Sequence, residues 1–262
     1  MDNMMLMLFF TVLPVILLLV FVYNKDRAKE PLVLLLQLFG LGMISCIPVL
    51  FASDFFRIVF PFMNKRLVDY NFFETILYAF VEVALLEEIC KWIMLYAKGY
   101  NHQEFDEVYD IIVYAVFVSL GFALVENIAY VFLKGTLRTA LFRAVSSVPG
   151  HACDAVFMGY FLSLAKQASY KDDKKLEKKY IVLSIIVPAI LHGIYDFCLM
   201  ANVKLLIFAF IGFIVFLYIL AFNTLKRVSL ENKNLVLKHS FCKSCGFKID
   251  GDICPKCGTR QE

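Results

Sequence analysis

The chain has 262 residues, of which 61% are hydrophobic, and a mean hydropathy of +0.73. An average soluble domain has roughly 45–50% apolar residues, so this composition excludes a fold as one ordinary soluble domain. The net charge of +3 reflects basic residues in the loops. These loops contain no basic patch with interleaved aromatic residues, so no nucleic-acid partner is expected. Several apolar runs reach the roughly 20 residues that cross a bilayer, which predicts a polytopic membrane protein embedded in lipid.

In chain order, the apolar runs predict an all-α bundle of about seven transmembrane helices. Lipid offers no partner for an unpaired backbone group, so each span should be helical. Charged stretches such as "NKDRAKEP" and "KQASYKDDKKLEKK" separate the runs. The predicted spans are 4–23, 31–53, 72–97, 108–133, 138–165, 179–199 and 203–223.

Loop charges predict the orientation in the cell membrane. The leading "MDNMM" lacks the positive region of a signal peptide, so the first span is interpreted as a retained helix. One face collects Lys25, Arg27, Lys29, Lys98 and the six lysines of 166–179, whereas the other face carries fewer basic residues. The positive-inside rule then predicts an extracytoplasmic N-terminus and a cytoplasmic C-terminus.

The C-terminal tail contains a cysteine pattern typical of a zinc ribbon. Two CxxC pairs, Cys242 with Cys245 and Cys254 with Cys257, are each followed by glycine. Four thiolates at this spacing suit one tetrahedral zinc ion, whereas disulfides are disfavoured in a reducing cytoplasm. The predicted division is a transmembrane domain over 1–223, a linker over 224–240 and a structural zinc ribbon over 241–262. The ribbon could recruit a cytoplasmic protein partner.

Ionisable residues interrupt four of the predicted spans. They are Glu87 and Glu88 in the third, Glu126 in the fourth, His151 in the fifth, and His192 with Asp196 in the sixth. A charge at the centre of a membrane helix costs about 2.5–3.5 kcal/mol, so such residues usually face the bundle interior and mark a functional site. These six residues are therefore predicted to converge on one pocket.

Spacing refines this prediction. His192 and Asp196 are four residues apart, so the carboxylate can fix the imidazole tautomer from the same helix face. Phe122 lies one turn before Glu126 and is expected to shield it from water.

The order of Glu87 and Lys91 favours an ion pair, which would leave Glu88 for another role. Glu82 is interpreted as a packing or orienting residue, and Asp154 as an orienting residue at most.

Four motifs in this order resemble those of the PrsW-type intramembrane proteases. "EEICK" is similar to the EExxK motif, "GFALVEN" to FxxxE, the histidine at 151 to the lone central histidine, and "HGIYD" to HxxxD. The stretch "FDEVYDIIVYA" also matches the pattern before the fourth-span motif, apart from Ile111 in place of a glycine. The resemblance covers roughly 72–200 and extends to the wider group of CAAX prenyl endopeptidases and bacterial Abi proteins.

The resemblance implies hydrolysis of a peptide bond in or near the bilayer, in a membrane protein such as an anti-sigma factor or in a short peptide. Glu87 or Glu88 would be the general base, with Glu126 and His151 holding the water or a metal. His192, oriented by Asp196, would donate to the oxyanion. Two chemistries stay open: a catalytic zinc bound by Glu88, Glu126, His151 and His192, or a metal-free glutamate mechanism.

Two other classes of function fit isolated features. Carboxylates and histidines within spans also form proton or ion relays in transporters, although no duplicated halves are visible. A non-catalytic scaffold that recruits a partner through the ribbon is the third hypothesis.

Overall fold

The computed structural model describes residues 2–201, 203–231, 240–242, 244–245, 247–249 and 253–260. These residues form a bundle of ten α-helices followed by a small tail with two short strands. The α-helices are α1 (Asp2–Lys25), α2 (Leu32–Ile44), α3 (Cys46–Val59), α4 (Phe72–Leu77), α5 (Leu86–Leu95), α6 (Asp110–Lys134), α7 (Leu137–Val145), α8 (Ser147–Tyr170), α9 (Lys174–Met200) and α10 (Lys204–Glu231). The all-α membrane bundle predicted from sequence is confirmed.

Five described stretches are long and apolar enough to cross a membrane: Met4–Lys25, Leu32–Val59, Asp110–Leu133, Lys174–Met200 and Lys204–Leu230. The remaining two of the seven predicted spans are helical but do not qualify by length and composition. One runs through α4, a π-helical segment Tyr78–Leu85, α5 and a second π-helical segment Tyr96–Tyr100. The other is α8. Both carry polar site residues, which lower their hydropathy.

The predicted fifth span is two helices rather than one. The chain leaves α7 at Ser146 and begins α8 at Ser147. Tyr218 of α10 donates hydrogen bonds to the carbonyl oxygens of Val145 and Ser146, at 2.8 and 3.2 Å. A partner on a distant helix thus satisfies backbone groups that the break frees.

The core lies between α6, α8 and α9, with α2 against the other side of α6. Every residue from Asp110 to Ala123 on α6 is buried. By contrast, α10 exposes large apolar side chains such as Leu205, Phe208 and Ile211. This pattern is expected for a central helix surrounded by protein and a peripheral helix that faces lipid.

Glycines allow α2 and α6 to approach closely. A Cβ atom on Gly42 would lie 1.9 Å from the carbonyl oxygen of Val118, and one on Gly121 would lie 2.1 Å from that of Phe39. Small residues at such crossings let helix backbones meet in membranes. By contrast, a Cβ atom on Gly40 would have no neighbour within 4 Å.

We expect Gly42→Ala to destabilise the protein by about 1–3 kcal/mol, because the added methyl group forces the two backbones apart. Gly40→Ala in the same helix is the matched control and should be neutral or slightly stabilising, since alanine favours helix by about 0.5–1 kcal/mol over glycine. Thermal unfolding of both purified variants measures the difference. Equal melting temperatures would contradict the close crossing.

Candidate active site

The six predicted residues line or adjoin one cavity of about 290 Å³ within the bundle. α5 contributes Glu87 and Glu88, α6 contributes Glu126, α8 contributes His151, and α9 contributes His192 and Asp196. All six except Glu88 line the cavity. The local helix geometry is unusual where these residues enter: π-helical turns precede and follow α5, and such turns are frequent at functional sites.

The two adjacent glutamates have different surroundings. Glu88 is fully buried, and its Oε1 lies 2.5 Å from the ammonium of Lys91. Glu87 Oε2 lies 3.8 Å from the same ammonium and has no hydrogen-bond partner among the described residues. The stronger pairing of Lys91 is therefore with Glu88, in contrast to the expectation that Glu88 stays free. Glu87 is the glutamate that faces the cavity.

His192 bridges α9 to the glutamates of α5. Its Nδ1 lies 2.9 Å from Glu88 Oε1, and its Nε2 lies 3.4 Å from Asp196 Oδ2 and 3.9 Å from Glu87 Oε2. Asp196 thus lies beside the imidazole, as the four-residue spacing predicts. Because a carboxylate accepts hydrogen bonds, the contact with Glu88 favours the tautomer with its proton on Nδ1.

His151 connects α8 to α5 and α6. Its Nε2 lies 2.9 Å from Glu126 Oε2, and its Nδ1 lies 3.3 Å from Lys91 Nζ. An ammonium only donates, so Nδ1 accepts and the Nε2–H donates to Glu126. The two histidine rings pack edge to face, with their centroids 5.1 Å apart. The ring of Phe122 covers this cluster, with its centroid 4.5 Å from Lys91 Nζ and 5.8 Å from the His151 ring.

Sequence reasoning missed Arg143. Its guanidinium donates to Glu126 Oε2 at 2.6 Å, to Ser147 Oγ at 2.8 Å and to the side chain of Asn127, and it lies 3.9 Å from the centroid of the Tyr130 ring. The sequence did indicate this residue, because Arg143 lies inside the predicted span 138–165. An arginine within a membrane helix needs a partner in the bundle.

Asp154, interpreted from the sequence as an orienting residue at most, lies inside the cluster. One donor atom from each of Glu88, His151, Asp154 and His192 lies within 4.8 Å of the others. The predicted metal set contained Glu126 in place of Asp154, and the Glu126 carboxylate lies against Arg143 and His151. Asp154 is 3% exposed and its Oδ1 has no hydrogen-bond partner among the described residues.

This cluster has the charge and donor chemistry of a divalent metal site. Five carboxylates, those of Glu87, Glu88, Glu126, Asp154 and Asp196, surround two fixed cations, Lys91 and Arg143. Full ionisation would leave an excess of three negative charges, which a low-dielectric interior does not tolerate without protons or a metal. Two imidazoles and two carboxylates are a donor set that zinc accepts, so the residues fit such an ion.

A second ion pair lies at the cavity wall. Arg57 of α3 and Glu82 of the first π-helical segment both line the cavity, with Nε and Oε1 3.8 Å apart. Glu82 is 2% exposed. Its predicted packing or orienting role is compatible with this position, which is outside the histidine cluster.

The four tail cysteines also come together. Donor atoms of Cys242, Cys245, Cys254 and Cys257 lie within 4.8 Å of one another. Strands β1 (Ser240–Phe241) and β2 (Lys248–Ile249) pair antiparallel on either side of the first CxxC pair. Gly258 has a φ of +72°, which allows the tight turn after the second pair. The glycine at 246 lies outside the described residues.

Comparison with known proteins agrees with this arrangement. The family model described as PrsW family intramembrane metalloprotease matches residues 30–222. The chain belongs to the PrsW family. Proteins named Protease PrsW from Oceanobacillus iheyensis, Geobacillus kaustophilus and Bacillus subtilis are 36%, 38% and 35% identical to it, over 225, 192 and 220 residues. These alignments cover 86%, 73% and 84% of this chain and 95%, 78% and 94% of the three relatives.

No solved structure matches the chain. The PrsW match identifies a membrane protease, as the motifs implied, and it ends before the tail. The cluster of four tail cysteines is therefore an addition to the part of the chain that carries the family match.

Proposed function

We propose that this PrsW-family protease hydrolyses a peptide bond of a single-span membrane protein near the extracytoplasmic side of the bilayer, with Glu87 as general base beside a zinc ion. The observation that carries the proposal is that Glu87, with an unpaired carboxylate oxygen, shares one cavity with His151, Asp154 and His192. The division into a membrane domain, a linker and a cytoplasmic ribbon is part of this proposal.

Glu88, His151, Asp154 and His192 would hold the proposed catalytic ion, with His151 Nδ1 giving up its contact with Lys91 Nζ to do so. Zinc in such a site polarises a carbonyl group and lowers the pKa of a bound water molecule toward neutrality. Glu88 also accepts the hydrogen bond from His192 Nδ1, which orients the imidazole within the cluster. Lys91 neutralises part of the carboxylate charge.

Water is activated in this proposal by Glu87. Its carboxylate lines the cavity and can accept a proton from a water molecule that attacks the substrate carbonyl. The same carboxylic acid can then return that proton to the leaving amine. His192 Nε2, when protonated, can donate to the oxyanion, which is its role in the metal-free alternative. Arg143 and Glu126 position His151.

The depth of the site follows from helix geometry and the proposed orientation. An extracytoplasmic N-terminus puts the C-terminal ends of α6 and α9 and the start of α8 on the extracytoplasmic side. Glu126 and His192 are each eight residues before the last residue of their helices, which is about 12 Å along the axis. His151 is four residues from the start of α8, or about 6 Å. A substrate bond is therefore expected within the outer half of the bilayer.

The function is tested by comparing the membrane proteomes of cells that express the wild type or Glu87→Gln. Newly formed N-termini and C-termini are sequenced in both samples. We expect cleavage products of at least one single-span protein, cut near its extracytoplasmic end, only with the wild type. Glu177→Gln, a partly buried acid in the first turn of α9, is the control and should cleave as the wild type does. Identical peptide patterns for all three proteins would reject the proposed activity.

Zinc content distinguishes the two metal sites. We expect about two equivalents in the full chain and about one after Cys242→Ser with Cys254→Ser, because those thiolates are zinc ligands in the proposed ribbon. Truncation after Glu231, where α10 ends, should have the same effect on zinc and leave catalysis intact. Elemental analysis of the purified proteins measures this directly. A fall from about one equivalent to none would favour the metal-free glutamate mechanism.

A further inference from the structure

A second group of buried acids lies at the opposite end of α6 from the active site. It consists of Asp26 and Glu30, in the connection between α1 and α2, and Asp110, the first residue of α6. One carboxylate oxygen of each lies within 4.8 Å of the others. Asp110 and Glu126 are sixteen residues apart on α6, or about 24 Å, so the two clusters do not share residues or a cavity.

All three acids are shielded from water, with 3%, 6% and 0% of the surface of Asp26, Glu30 and Asp110 exposed. Both carboxylate oxygens of Asp26 and Oδ1 of Asp110 have no hydrogen-bond partner of good geometry among the described residues. Buried carboxylates are normally paired, protonated or bound to a metal, so oxygens without partners point to a ligand.

The described neighbours satisfy only part of this group. Asp110 Oδ2 accepts hydrogen bonds from the backbone N–H groups of Asp106 and Glu107, at 3.1 and 2.6 Å. The hydroxyl of Tyr114 donates to Glu30 Oε2. These contacts hold the carboxylates of Asp110 and Glu30 in place.

Positive charge near the group is insufficient to neutralise it. The ammonium of Lys29 donates to the carbonyl oxygens of Asp26, at 2.7 Å, and of Tyr23. Burial raises the pKa of the Asp26 carboxyl to about 6, although Lys29 lowers it in part. Burial likewise raises the pKa of the Glu30 carboxyl to about 7, against the hydrogen bond from Tyr114. One lysine therefore faces three clustered carboxyl groups.

We propose that Asp26, Glu30 and Asp110 form a binding site for a hard divalent cation, Ca²⁺ or Mg²⁺, that ties the α1–α2 connection to the start of α6. The donors are carboxylate oxygens, which these ions prefer over the nitrogen and sulfur ligands of zinc. Two oxygens that each lie about 2.4 Å from one Ca²⁺ ion can be at most about 4.8 Å apart. The three carboxylate oxygens of this group lie within 4.8 Å of one another and so meet that limit. The ion supplies the positive charge that the described side chains lack.

The site is structural in this inference and does not depend on the proposed catalytic mechanism. It also explains the stretch "FDEVYDIIVYA", which the catalytic site does not use. Asp106 and Glu107 donate their backbone N–H groups to Asp110, and Tyr114 fixes Glu30. This stretch therefore builds the second site.

The test is binding and thermal unfolding of the purified full chain in detergent, with Ca²⁺ or Mg²⁺ added separately. We expect one bound ion that is lost in Asp26→Asn and Glu30→Gln. A hundredfold excess over the dissociation constant should raise the melting temperature of the wild type by about 5–10 °C. The separate titrations identify which of the two ions binds more tightly. Asp26→Asn is preferred over an Asp110 variant, because Asp110 also accepts backbone hydrogen bonds at the start of α6.

Asp172→Asn is the matched control, since it removes one charge from an exposed turn with a φ of +58° that asparagine also adopts. It should bind the ion and shift as the wild type does. Absence of bound Ca²⁺ and Mg²⁺ in the wild type would overturn the inference. So would a shift of unchanged size in both Asp26→Asn and Glu30→Gln, because the ion would then bind elsewhere.

Discussion

Glu87→Gln should lower the rate of peptide-bond hydrolysis by about 10²–10⁴-fold, the usual contribution of a general base. The amide keeps the shape of the side chain but cannot accept a proton from water. Since Glu87 is outside the proposed metal set, the zinc content should not change. The measurement is kcat on a reconstituted substrate, paired with elemental analysis of the same sample.

Asp154→Asn and His192→Ala are the informative comparisons for Glu87→Gln. Both should abolish activity together with the second zinc equivalent, because Asp154 and His192 belong to the cluster of candidate ligands. Glu88→Gln should also be inactive, while membrane insertion is retained. Full activity of Glu87→Gln would transfer the base role to another carboxylate. Loss of zinc in Glu87→Gln would make it a ligand instead.

Lys91→Met should cause the largest loss of stability among single substitutions in the active site. Lys91 and Glu88 are both fully buried, with Nζ and Oε1 2.5 Å apart. Removing the cation leaves an uncompensated buried carboxylate, at a cost of about 3–5 kcal/mol. Chemical or thermal unfolding in detergent measures this change in the free energy of unfolding.

Two further variants test that explanation. The double variant Lys91→Met with Glu88→Gln should recover much of the loss, since the carboxylate closest to the removed ammonium is neutralised as well. Lys174→Met is the matched control, because Lys174 and Glu177 also form an i,i+3 pair, but the lysine side chain is 66% exposed. An exposed pair contributes about 0–1 kcal/mol. Similar losses in Lys91→Met and Lys174→Met would contradict the buried network.

The sequence predicted much of the helical bundle and of the site because both depend on local patterns. Long apolar runs specify spans, and the four-residue spacing of His192 and Asp196 puts their side chains 3.4 Å apart in the structure. Isolated charges in apolar helices indicated convergence without specifying partners.

The features that were missed depend on contacts between distant parts of the chain. The break between α7 and α8 is stabilised by Tyr218, more than 70 residues away in sequence. Lys91 and Glu88 each contact a histidine from another helix, His151 of α8 and His192 of α9 respectively. Asp154 joins the candidate metal set through the same convergence. No local pattern encodes these distances.

Because π-helical turns precede α5, the number of residues before α5 determines which way its glutamates point. Asn71 caps the start of α4, and the helical path then runs through Tyr78–Leu85 to Glu87. Each residue added to or deleted from that path rotates everything beyond it by about 100°. A single deletion in Tyr78–Leu85 would therefore turn Glu87 away from the cavity even though every residue of the EExxK motif remained. An intact motif is then insufficient to identify an active family member, and the number of residues before it must be compared as well.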